Sequence, residues 1–175
     1  PFCGTETLLD NDAIRVDEGR KGVPGTGWPL AGSSNPHPPN KAIVATRLVE
    51  QSLVKTYSKD LGHEVLPPTY AAHEGKGGSV RVKFAHVGKG LKTDDGKAPN
   101  WFEIAPAGGD ERTLDYVKAE AKIVAPDTVE VFSPRVKTPK HVRFAWHMYA
   151  RHNLYNSAGL PAVSFRTDTR KTKAR

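Results

Sequence analysis

Val80-Arg81-Val82-Lys83-Phe84 is the stretch whose reading decides the fold. Its apolar side chains recur every second residue, with cations at the positions between. That period of two puts valine, valine and phenylalanine on one face of a strand and the basic side chains on the other. A strand with one apolar face cannot bury it alone, so more strands must follow. Working outward to the C-terminal side, Trp101 to Ala105, Val117 to Val124, Thr128 to Ser133 and His141 to His147 are the further candidates. Ala125-Pro126-Asp127 supplies a turn between the third and fourth of these segments, and Ser133-Pro134-Arg135 punctuates the next gap. Strands at this spacing predict an antiparallel β-sandwich or barrel-like module.

On the N-terminal side the period changes at Gly62. From about Lys41 to Tyr57 the apolar residues Ile43, Val44, Leu48, Leu53, Val54 and Tyr57 fall mostly on one stripe, with Arg47, Glu50, Gln51 and Lys55 elsewhere, which predicts a helix. Asn40 is its expected N-cap. The preceding Pro38-Pro39 blocks an earlier start, because each proline disfavours the α region in the residue it follows. The first forty residues hold Gly19, Gly22, Gly25, Gly27 and Gly32 with Pro24, Pro29, Pro36, Pro38 and Pro39, and read as loop. The expected class is α+β. Residues 1–62 form an irregular arm plus a helix, and residues 63–175 form a β-rich module with a basic tail.

Composition narrows the function classes. The chain has 175 residues, 37% apolar and 26% charged, with 16 Gly and 14 Pro, as expected of a turn-rich globular protein. Cys3 is the single cysteine, so neither an intrachain disulfide nor a thiolate metal cluster can form. The net charge is +7, but Arg166, Arg170, Lys171, Lys173 and Arg175 against Asp168 place +4 of it in residues 166–175. A solvated basic tail argues against nucleic acid, which asks for a cationic stripe along the body of the chain. No apolar run has the length of a membrane span, and Pro1-Phe2-Cys3-Gly4 lacks the basic and apolar regions of a signal peptide. Because the first residue is not Met, a processed product or a fragment is expected.

Seven histidines stand at 37, 63, 73, 86, 141, 147 and 152, without the i, i+4 spacing of a helical metal site. No metal and no cofactor is expected. Gly88-x-Gly90 runs into the Thr93-Asp94-Asp95-Gly96 turn and not into a helix, so it is not a phosphate loop. His37 is different. It sits before a diproline and a capped helix, where the backbone has little freedom, and the positive end of the helix dipole disfavours imidazolium. A neutral, fixed imidazole is what a general base requires.

His37-Pro38-Pro39-Asn40-Lys41 and its helix resemble the His-Pro-x-Asn-Lys block of sialate O-acetylesterases, carbohydrate esterases of the SGNH hydrolase superfamily. In the same order, Val80 to Phe84 with His86-Val87-Gly88-x-Gly90-Leu91 is similar to a strand and loop of that family, and Trp101 to Ala105 to its next strand. Val142-Arg143-Phe144-Ala145-Trp146, Asn153-Leu154-Tyr155-Asn156, Gly159-Leu160-Pro161-Ala162 and Phe165-Arg166-Thr167-Asp168 are similar to its C-terminal signature. Together these cover residues 35 to 168.

The resemblance implies the C-terminal portion of such an enzyme: one or two helices from the end of an SGNH α/β core, then the β-module. It implies an acetylated carbohydrate as substrate, a Ser/His mechanism with His37 as the catalytic histidine, and a secreted or periplasmic setting. The family's serine lies in a Gly-x-Ser-Asn element far upstream, so an N-terminal chain or segment is the expected partner that supplies it. Gly32-Ser33-Ser34-Asn35 fits that string, but Leu30-Ala31 after Pro29 is not the buried strand a nucleophile elbow needs. The acid that the family carries just before this histidine is replaced by Ser34 and Asn35, leaving Asp12, Asp17 and Glu18 as alternatives without motif support. The rival reading is a non-catalytic β-sandwich that binds carbohydrate or a protein. Trp146, Asn153, Tyr155 and Asn156 are its candidate sugar contacts, against a packing role for the same residues.

Overall fold

The computed structural model describes residues 41–108, 114–147 and 150–168. Among the described residues one helix, α1 (Lys41–Lys55), precedes ten strands: β1 (Thr69–Lys76), β2 (Ser79–Ala85), β3 (Leu91–Thr93), β4 (Phe102–Pro106), β5 (Val117–Lys118), β6 (Glu120–Ala125), β7 (Thr128–Phe132), β8 (Pro139–Phe144), β9 (Leu154–Asn156) and β10 (Phe165–Arg166). They form two four-stranded sheets, β1-β2-β7-β6 and β10-β8-β4-β5, and a two-stranded ribbon, β3-β9. All pairings are antiparallel.

The alternation at 80–84 is realised as expected. Val80, Val82 and Phe84 are buried while Lys83 is exposed, and Val82 stands opposite Val129 of β7. The second sheet offers Phe102, Ile104, Val142, Phe144 and Phe165 to the same core. Phe84 of the first sheet meets Phe165 of the second edge-on at 5.8 Å, and Phe102 and Phe144 pack at 4.5 Å within the second. Each such ring removed from water contributes about 1.5–3 kcal/mol, so the shared interior is what holds the sheets together. This is an α+β arrangement of antiparallel sheets, consistent with a sandwich.

Several boundaries differ from the sequence reading. The segment 117–124 is two strands in two sheets: β5 pairs with β4, whereas β6 pairs with β7. The chain crosses over at Ala119, whose N–H donates to the Phe102 carbonyl at 3.0 Å. Trp101 lies outside β4 with φ 63°, and β8 stops at Phe144 because Ala145 takes φ 50°. β1, β3, β9 and β10 were not anticipated. Pro126-Asp127 is the turn expected between β6 and β7, and its carbonyls accept from Leu91 N at 2.7 Å and Phe84 N at 2.8 Å.

The helix begins at Lys41 and ends at Lys55, close to the expected span. Its stripe is not buried as read. Leu48 and Tyr57 are exposed, whereas Arg47, placed on the polar side by periodicity, is buried. The basic tail also starts later than expected, since Arg166 and Asp168 belong to the second sheet and its margin. Asn40 and residues 169–175 lie outside the described residues.

Candidate functional site

His37, the expected catalytic base, lies outside the described residues, as do Ser34, Asn35, Cys3, Asp12, Asp17 and Glu18. Where the described residues do gather chemical groups is the outer face of the second sheet. Cross-strand partners share a face. Register therefore lines up Arg166 of β10, Arg143 of β8, Glu103 of β4 and Lys118 of β5 in one row across the four strands.

Two arginines directly opposite each other repel, and the surroundings offset this cost. Arg143 Nε donates to Glu103 Oε2 at 2.6 Å, and its guanidinium lies 4.3 Å from the centre of the Tyr116 ring. Arg166 Nε donates to Asp168 Oδ1 at 2.9 Å, with a second contact from its terminal nitrogen to Oδ2. The Tyr116 hydroxyl donates to the same Asp168 Oδ1 at 2.7 Å. On its other side Arg166 stacks 5.2 Å from the Trp146 ring centre.

This network fixes protonation states. Hydrogen bonds from Arg166, reinforced by Tyr116 and partly opposed by desolvation, bring the Asp168 carboxyl down to about 2. Desolvation first, then the bond to Asp168, push the Tyr116 phenol well above its ordinary range. Tyr116 is thus a permanent donor and Asp168 a permanent anion across ordinary pH. Beside them opens a cleft of about 680 Å³ lined by Tyr116, Glu103, Asp115, Lys118, Glu120 and Arg135, among others.

The polar residues expected to face sugar divide sharply. Trp146 is exposed, but Asn153, Tyr155 and Asn156 are buried. Asn153 Nδ2 donates to Asp95 Oδ1 at 2.8 Å and to the Ala98 carbonyl at 3.0 Å, and its Oδ1 accepts from Asn100 N at 3.0 Å. Asn156 Nδ2 donates to the Leu66 and His86 carbonyls, both at 3.0 Å, while its Oδ1 accepts from Leu160 N at 2.9 Å. These amides fasten loops and do not face a ligand.

The chain is similar to a carbohydrate acetylesterase. That enzyme is from Xanthomonas citri, and its solved structure superposes with a TM-score of 0.69 at 31% identity over 79% of this chain. The match spans 30% of that enzyme's length. No protein-family model and no curated protein sequence matches the chain.

Among the described histidines, His73 accepts or donates at 2.7 Å with the Tyr70 hydroxyl. Desolvation lowers its pKa, and His141 nearby lowers it further. His152 is buried between Phe144 and Tyr155, with ring centres at 4.8 and 6.1 Å. Among the described residues no three His, Cys, Asp or Glu side chains converge as a metal site. Tyr116 and its partners were missed from sequence. Their one available signal was that Arg166 and Asp168, of opposite charge, stand two residues apart across a threonine, a spacing that puts both on one side of an extended chain.

Proposed function

We propose that this chain is the β-rich, C-terminal part of a carbohydrate O-acetylesterase of the sialate type, built on an SGNH core. The observation that carries the reading is the likeness to the Xanthomonas citri carbohydrate acetylesterase at 31% identity over 79% of this chain. In this reading His37 is the general base. It takes the proton from a serine of a Gly-x-Ser-Asn element on a partner chain or segment as that serine attacks the acetyl carbonyl of a sugar ester. Backbone N–H groups of the serine's turn stabilise the tetrahedral oxyanion, sugar oxygen leaves with the proton, and water then releases acetate.

The helix that follows His37 supports the role physically. In sequence His37 stands four residues ahead of a helix that begins at Lys41, and a helix N-terminus disfavours imidazolium in a ring placed near it. The exposed Leu48 and Val49 on that helix suit a helix that covers a neighbouring sheet. The test mixes the chain with a catalytic segment carrying the serine element and follows acetate release from O-acetylated sugars, sialate among them. Release is expected only with both components, falling at least about 100-fold in His37→Ala. Equal release with His37→Ala, or none from the mixture, would sink the proposal.

A further inference from the structure

We propose that the cleft beside Tyr116, at the β5 edge of the β10-β8-β4-β5 sheet and against the 133–135 turn, is a binding site for a neutral oligosaccharide chain, separate from any ester-cleaving centre. The site does not depend on the esterase reading, because its ligand needs no acetyl group.

Four observations carry it. The cleft, at about 680 Å³, lies within the range of small-molecule sites, roughly 300–1,000 Å³. Its charged lining carries both signs with one more acid than base: Glu103, Asp115 and Glu120 beside Lys118 and Arg135. That set offers hydrogen-bond acceptors and donors for hydroxyls without the cationic field an anionic ligand would need. Tyr116 is locked in place, with Arg143 against its ring at 4.3 Å and its hydroxyl on Asp168 at 2.7 Å, so ligand binding would not have to order it. Finally, Trp146 remains 45% exposed while being held over Arg166, which itself pairs with Asp168. An exposed indole linked to the cleft through Arg166, Asp168 and Tyr116 is a platform on which a further sugar ring can stack, since pyranose faces are apolar.

Asp115 and Glu120 are exposed, and replacing them leaves the anchoring network intact. The experiment titrates the full chain with cellohexaose, xylohexaose and mannohexaose, and with hexagalacturonate as the anionic probe, by calorimetry and tryptophan fluorescence. At least one neutral hexasaccharide is expected to bind, with an affinity unchanged between about 50 and 500 mM salt. Asp115→Ala with Glu120→Ala is expected to weaken it at least about tenfold, equivalent to about 1.4 kcal/mol. Trp146→Ala is expected to abolish the fluorescence change, and Lys76→Ala on the far edge strand β1 to alter nothing. Failure of all three neutral probes to bind overturns the site. So does binding that survives the Asp115/Glu120 double variant, or binding of hexagalacturonate alone with steep salt dependence. Acetate release is not measured, so the outcome leaves the esterase proposal to its own test.

Discussion

Asp168→Asn isolates the electrostatic worth of the outer-face network. The side chain is 3% exposed and holds Arg166 and Tyr116 together. Its carboxyl falls to about 2 in the fold, well below the ordinary carboxylate range. After solvent screening on the Arg166 side, a depression of that size is worth about 1–2 kcal/mol. Asparagine keeps an acceptor for the Tyr116 hydroxyl but removes the carboxylate charge with which Arg166 pairs. At pH 7 the variant is therefore expected to unfold about 1 M earlier in urea, taking a slope of about 1.5 kcal/mol/M. A carboxylate whose pKa is depressed by folding stabilises the fold fully above its unfolded value and loses that contribution as pH falls through its folded value. The gap between wild type and variant should stay constant above about pH 5, shrink between about 4 and 2, and close below that. Taking the difference cancels the other carboxylates that titrate in the same window, Asp95 among them. A gap of the same size at pH 2 and pH 7, or no gap at pH 7, would show that the ion pair is not what lowers the carboxyl.

Two further outcomes probe the loops. Asn156→Ala removes the amide that satisfies the Leu66 and His86 carbonyls and the Leu160 N–H, all in a fully buried site. A loss of about 2–4 kcal/mol in urea unfolding at neutral pH is expected, and one under about 0.5 kcal/mol would mean these groups find water instead. Gly88→Ala places a Cβ 2.6 Å from Ser157 Oγ at φ 59°, so the hydroxyl must leave its 2.8 Å bond with Lys89 N. Left-handed strain plus that displacement is expected to cost about 1–3 kcal/mol, checked by thermal melting of Gly88→Ala against wild type.

What could be read from sequence followed from how many residues carried a pattern. β2 announced itself because its buried face and its period coincide over Val80, Val82 and Phe84. β1 is an edge strand whose Ala71, Ala72, Glu74 and Lys76 are exposed, so burial imposed no alternation on it. β9 has all three residues buried on both sides, and no period can be seen in three residues. The run Val117 to Ile123 alternates without a break, yet its ends join different sheets, because a pattern of faces does not record which neighbour a strand pairs with. The network around Tyr116 was out of reach for the same reason. Tyr116 and Asp168 are 52 residues apart, Arg143 and Glu103 are 40 apart, and only strand register joins them.

The likeness to the esterase signature thus separates into two kinds of evidence. Asn153 and Asn156, prominent in that signature, hold the 95–100 loop and the Leu66, His86 and Leu160 backbones, tasks this fold requires whether or not the protein cleaves anything. A binding module descended from an enzyme would keep them for the same reason. Motif order from Asn153 to Asp168 therefore weighs on architecture. His37 stands in a different position, because it lies outside the described residues and only its sequence motif speaks for it. Under the proposed function, chemistry at that residue is what would separate an esterase from a sugar-binding sandwich. The acetate-release and oligosaccharide experiments address those two properties one at a time.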